Sequence, residues 1–126
     1  ATLDPTLRQV YLGGDLHVRM ADTVGFITAL PQELINAFRA TLEELDEADL
    51  LLHVVDASNP DWPRQMASVR QILGDLQLEA KPGIVVFNKC DAIRGEVPHE
   101  PGALAISAKS GVGVQELKRE LRERLQ

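Results

Sequence analysis

No stretch of this sequence approaches the ~20 consecutive apolar residues that a bilayer-spanning helix needs, and no signal-peptide pattern opens it. Cysteine is almost missing. Cys90 stands alone, so no disulfide can form within the chain, and a reducing cytoplasm is the simplest compartment. Positive charge is also short: 13 Lys and Arg face 19 Asp and Glu, for a net charge of -6. That balance excludes a broadly basic nucleic-acid surface, although it leaves room for a small basic patch. His17, His53 and His99 are scattered without the spacing of metal ligands. There is no internal repeat, low-complexity tract or second domain. What remains is a chain of 126 residues, 44% hydrophobic and 25% charged, with the composition of one soluble globular domain.

Its order is read from the spacing of apolar residues. Gln9-Val10-Tyr11-Leu12 and Leu16-His17-Val18-Arg19-Met20 alternate apolar with polar, and Gly13-Gly14-Asp15 lies between them. This predicts a hairpin whose turn uses glycine to reach positive φ, its second strand ending at Asp22. From Pro31 the period lengthens. Leu34, Phe38, Leu42 and Leu45 predict an amphipathic helix over 31–47. The run 50–55 is apolar almost throughout and predicts a strand buried on both faces, as in a parallel sheet. After a turn at 56–60, Met66, Val69, Leu73 and Leu76 mark a second helix. Ile84-Val85-Val86-Phe87 predicts another buried strand, 94–102 a loop, 103–106 a short strand, and Val114, Leu117, Leu121 and Leu125 a last helix. Strands alternating with helices call for an α/β doubly wound, mostly parallel sheet, with the hairpin as an antiparallel edge.

In such sheets ligands bind beyond the carboxyl ends of the strands, so the residues after each strand carry the candidate chemistry. Asn88-Lys89-Cys90-Asp91 follows the strand at 84–87. A carboxylate at Asp91 can accept two parallel hydrogen bonds from the ring N–H and exocyclic amine of guanine, a pattern that adenine does not offer. Asn88 can tie neighbouring loops together and reach the base edge, and the Lys89 stem can lie over the flat face of the base. Asp22-Thr23-Val24-Gly25 follows the hairpin. An Asp at a strand end can hold Mg²⁺ through water, and a Gly three residues on can bring its N–H close to a phosphate. Turns favour Asp and Gly in any case, so this signal is weak alone. Ser107-Ala108-Lys109 is weaker still alone, and its use would be an Ala108 N–H to the guanine carbonyl oxygen. Order, spacing and strand-end placement agree on one guanine-nucleotide site.

These residues, together with 1–6, Phe26-Ile27, Leu30-Pro31, 37–44 and 48–58, resemble the G domain of the HflX family, relatives of the translational GTPases. The stretch 37–58 carries the family likeness beyond the motifs shared by G proteins. The resemblance covers essentially all of 1–126, as a partial GTPase domain of Ras-like P-loop type from switch I to the C-terminal helix. It implies that Thr2 is the switch I threonine sensing Mg²⁺ and the γ-phosphate, and that Asp22, Thr23 and Gly25 belong to switch II, Thr2 and Asp22 serving the metal. It further implies that Asn88, Lys89 and Asp91 select guanine, with Ser107, Ala108 and Lys109 as the second base contact. GTP or GDP with Mg²⁺, a cytoplasmic location, and action on the large ribosomal subunit to split stalled ribosomes are what membership implies. The family's ribosome-gripping N-terminal domain lies outside these residues.

Two departures stand out. No G-x-x-x-x-G-K-[ST] occurs in the sequence, and Gly13-Gly14 sits in a hairpin turn. In the family that loop lies upstream of Thr2, on the strand expected at the centre of the sheet, so the 126 residues alone are expected to be inactive. Phe26 stands where Ras-like proteins carry a water-orienting Gln, a hydrophobic choice that the family shares, so no residue here is assigned as catalytic beyond the switch residues Thr2 and Gly25. The competing reading is a binding module that kept the fold, lost nucleotide chemistry and holds a protein partner with the 31–47 helix or its acidic surface. An adenine-nucleotide or phosphoacceptor domain conflicts with Asn88, Lys89 and Asp91.

Overall fold

The computed structural model describes residues 6–22, 47–75, 77–93 and 95–126. Strands β1 (Thr6–Gly13) and β2 (Leu16–Asp22) pair antiparallel, from Thr6 opposite Asp22 to Gly13 opposite Leu16. Gly14 and Asp15 close the hairpin with φ of 56° and 64°. Positive φ at both central residues is the signature of a type I′ turn, whose twist suits the flanking strands. The register slips between Tyr11 and Gly13, leaving Leu12 as a bulge residue. Leu12 is buried in the core on the same face as Val10, as alternation with the exposed Tyr11 requires, and the bulge falls at the turn end of the strand.

Three parallel strands form a second sheet in the order β3-β4-β5: β3 (Leu51–Asp56), β4 (Gly83–Asn88) and β5 (Leu104–Ala105). Leu51 lies opposite Gly83 and Asp56 opposite Asn88, so β3 and β4 end level. Helix α1 (Trp62–Asp75) connects β3 to β4, and α2 (Val114–Leu125) follows β5. A turn at Asn59, whose side-chain oxygen accepts from Asp61 N at 2.9 Å, leads into α1. The helix stops in a Schellman arrangement: Gln77 is left-handed at φ 59°, Leu78 N donates to Leu73 O and Gln77 N to Gly74 O. Gly113 precedes α2 at φ 80°, where a Cβ would come within 2.6 Å of Ala105 O, so only glycine lets the helix start this close to β5.

Alternate residues of β4 face opposite layers. Ile84 and Val86 join Leu12, Ile106 and Leu121 in one core, with Val10, Leu16, Val18, Leu52 and Leu117 against it. Phe87 joins Val55, Ala57 and Met66 in the other, beside Trp62. Trp62 and Phe87 meet edge to face, their centroids 5.2 Å apart. This is the doubly wound α/β arrangement that the apolar spacing predicts. Among the described residues the hairpin is not hydrogen-bonded to the parallel sheet. It packs on the same core as α2, and Arg122 Nη1 donates to Leu12 O at 2.7 Å.

One expectation is corrected. The run 50–55 is not buried on both faces along its length, because Val54 is 54% exposed. Among the described residues, the layer that covers Leu50 and Leu52 does not include Val54, and β3 is an outer strand of its sheet. The helix expected over 31–47 lies, but for Glu47, outside the described residues.

Candidate functional site

The carboxyl ends of β3, β4 and β5 bring together three loops, beginning at Asp56, Asn88 and Ile106. Backbone bonds set their spacing: Ala57 N to Asn88 O at 3.0 Å, Ile106 N to Phe87 O at 2.8 Å, and Cys90 N to Ile106 O at 3.1 Å. Lys89 takes a left-handed conformation, φ 63° and ψ 32°, before a short 3₁₀ turn over Cys90–Ala92. A non-glycine residue held there is uncommon and persists only where its surroundings fix it. The flanking bonds at Asn88 O and Cys90 N do so.

Each residue of the Asn88–Asp91 motif then reaches a different neighbour. Asn88 Oδ1 accepts from Ala108 N at 3.0 Å. Ser107 Oγ donates to Asp91 Oδ1 at 2.7 Å and accepts from Ser110 N at 3.1 Å. Ser107 is 2% exposed, so both bonds of its hydroxyl are made out of water. Lys89 Nζ lies 3.2 Å from Asp56 Oδ2. Asp56 is itself fixed, its Oδ1 accepting from Ser58 N at 3.0 Å and Ser58 Oγ at 2.6 Å. The Ser58 hydroxyl bond, helped by Lys89, holds the Asp56 carboxyl below its ordinary value of 3.8 against the opposing pull of burial. Burial pushes the Cys90 thiol up against the opposing backbone hydrogen bond at Ile106, with a lesser upward push from the Asp91 charge. Its Sγ sits 3.2 Å from Phe87 O.

The structure thus brings Asn88, Lys89, Asp91, Ser107 and Ala108 to one edge, and Lys109 follows them on the exposed side of the β5–α2 loop. Asp91 is exposed, and a carboxylate that accepts one hydroxyl still has room for two more donors. The Ala108 N–H, expected to meet a guanine carbonyl, is engaged by Asn88, so an incoming carbonyl must share or replace that acceptor. Asp22 ends β2, and Thr2, Thr23 and Gly25 lie outside the described residues. Among the described residues no cluster of three or more His, Cys, Asp or Glu could hold a metal, and no helix is long and apolar enough to cross a membrane.

Asp56 and Ser58 are not among the candidate site residues of the sequence, where 56–60 is a turn and 48–58 part of the family likeness. The available signal was an Asp ending a parallel strand at the same edge as Asn88.

Comparison with known proteins supplies the family. The family described as 50S ribosome-binding GTPase matches residues 1–89. GTPase HflX of Magnetococcus marinus is 45% identical over 127 residues, covering 97% of this chain and 29% of that protein. GTPase HflX of Escherichia coli is 38% identical over 132 residues, covering 99% of this chain and 31% of that protein. The chain therefore spans less than a third of the length of these relatives. A crystal structure of an SsGBP mutation variant superposes with a TM-score of 0.78 over 93% of this chain and 46% of that one, at 22% identity, and so shares the fold. The chain belongs to the 50S ribosome-binding GTPase family, in its HflX group.

Proposed function

We propose that this chain is the base-recognising part of a G domain that binds GTP and GDP, and that the full-length protein hydrolyses GTP while acting on the large ribosomal subunit. The observation that carries this reading is the set of ties around Asp91. Its carboxylate is exposed yet oriented by the buried Ser107 hydroxyl, beside Asn88 and the Ala108 amide. Two parallel acceptors on a fixed carboxylate match the ring N–H and amine of guanine. Lys89 supplies an apolar stem beside it for the face of the base. By the family resemblance, Thr2 and Asp22 would supply oxygen donors of the kind Mg²⁺ prefers, and the ion when bound would neutralise charge on the β- and γ-phosphates. The ribosome-directed part of this reading rests on family membership and on the relatives' names. The 126 residues contain no phosphate loop, so alone they are expected to bind GTP no tighter than about millimolar, near -4 kcal/mol.

The test is nucleotide titration of the full-length protein carrying Asp91→Asn. Exchanging one acceptor for a donor breaks one match to guanine and makes one to xanthine, so GTP affinity should fall about tenfold to a hundredfold, ~1–3 kcal/mol, while xanthosine triphosphate gains. Unchanged affinities for both would remove Asp91 from the site. GTP turnover with and without purified large subunits tests the partner separately, and stimulation is the expected result.

A further inference from the structure

The sheet order places β4 between β3 and β5, and the two charged residues that follow it diverge. Asp91 is tied to the β5 side through Ser107, and Lys89 to the β3 side through Asp56. Asp56 is well suited to be an anchor. Ser58 occupies Oδ1 with both its N–H and its hydroxyl, a local turn that fixes χ1 and leaves Oδ2 directed at the Lys89 ammonium. The partner strand is in register, Asp56 opposite Asn88, and Ala57 N holds Asn88 O, so the distance between anchor and lysine is set by backbone. A free lysine samples many rotamers, and immobilising it on a ligand costs entropy. A lysine already held at its tip has lost part of that freedom before the ligand arrives.

We propose that Asp56, locked by Ser58, is a positioning residue for guanine-nucleotide binding: it anchors Lys89 Nζ so that the lysine stem stays laid across the mouth of the site. This rests on the reading above that Lys89 lies over the base. Asp56 touches no nucleotide atom in this scheme and acts only through Lys89. The pair is half exposed, the Lys89 side chain 58% and that of Asp56 35%, so its contribution is modest and screened by salt.

A double-mutant cycle in the full-length protein, read by release of a fluorescent GDP analogue, tests it. Asp56→Asn keeps an oxygen for Ser58 but loses the charge facing Lys89, and Lys89→Met keeps the apolar stem without the charge. Asp56→Asn should speed release about twofold to fivefold at low salt, and this difference should shrink as ionic strength rises. In the Lys89→Met background the same substitution should change nothing. A turn that merely stabilises the fold would show an equal effect in both backgrounds and no salt dependence, which overturns the proposal. So would no change, or slower release, in Asp56→Asn. If Asp91→Asn also leaves GDP release untouched, it is the guanine reading that has failed.

Discussion

The hairpin β1–β2 and the loops at the carboxyl ends of β3, β4 and β5 are attached to one fold by different forces. The hairpin is held by apolar burial: Val10, Leu12, Leu16 and Val18 lie against Ile84, Val86, Ile106 and Leu121, with Arg122 to Leu12 O as its polar tie to α2. The strand-end loops are held by directed polar bonds, Ala108 N donating to Asn88, Ser107 Oγ to Asp91 and Lys89 Nζ to Asp56. Apolar burial is non-directional and strong per residue, at roughly 1.5–3 kcal/mol for a large side chain. A hydrogen bond adds only about 1 kcal/mol net but fixes geometry. One region therefore governs whether the chain folds, and the other governs what the folded chain presents.

The sharpest way to break this comparison is to truncate the hairpin's core residue. Leu12→Ala removes a side chain that is 2% exposed and leaves a cavity between β1, β4 and α2. The expected loss is about 2–5 kcal/mol of stability, read by denaturant unfolding of the full-length protein. GDP affinity of the molecules that remain folded should stay within about twofold, since no polar tie of the mouth involves Leu12. A parallel collapse of affinity would show that the two regions are not separable.

Ser107→Ala probes the other side, with a smaller effect of opposite kind. It deletes the donor to Asp91 and the acceptor for Ser110 N at a buried position. Nucleotide affinity should fall about tenfold, ~1.4 kcal/mol, because Asp91 must then be ordered by the ligand itself. Unfolding should shift by less than for Leu12→Ala. An intact affinity with a large loss of stability would reverse the assignment of forces.

The same division explains what the sequence made legible. β4 and α2 were readable because burial leaves its mark as an apolar run or a helical period, seen in 84–87 and in Val114, Leu117, Leu121 and Leu125. Asn88, Lys89 and Asp91 were readable as candidates because the proposed contact to a guanine edge would demand fixed residue types at fixed spacing. The partners of these residues were not. Asp56 and Lys89 are 33 positions apart, and only the parallel register of β3 and β4 makes them neighbours. The engagement of Ala108 N by Asn88 is likewise a tertiary event between loops 20 positions apart. Val54 escaped for a related reason: its apolar character was visible, but which layer reaches it was not.

The smallest expected effect belongs to His53, which sits on β3 between these two kinds of support. Burial lowers its pKa from the ordinary 6.5, the Arg70 charge lowers it further, and Glu100 opposes both. Arg70 Nη2 is paired with the two Glu100 oxygens at 2.7 and 2.9 Å, which links α1 to the loop before β5. A histidine with a depressed folded pKa stays neutral in the fold while the unfolded chain takes up a proton. Its stabilising contribution is therefore full above 6.5 and is lost as pH falls below 6.5 towards the folded value. Melting curves at pH values from roughly 7.5 down to 5.5 should show wild type losing stability faster than His53→Gln, which has nothing to titrate there. Glu100→Gln removes the one opposing charge and leaves Arg70 unpaired, so His53 should be depressed further and the acid-side loss should deepen. Identical slopes for wild type and His53→Gln would mean that β3 accommodates the imidazolium without cost, and that the polar ties at the end of the strand hold it unaided.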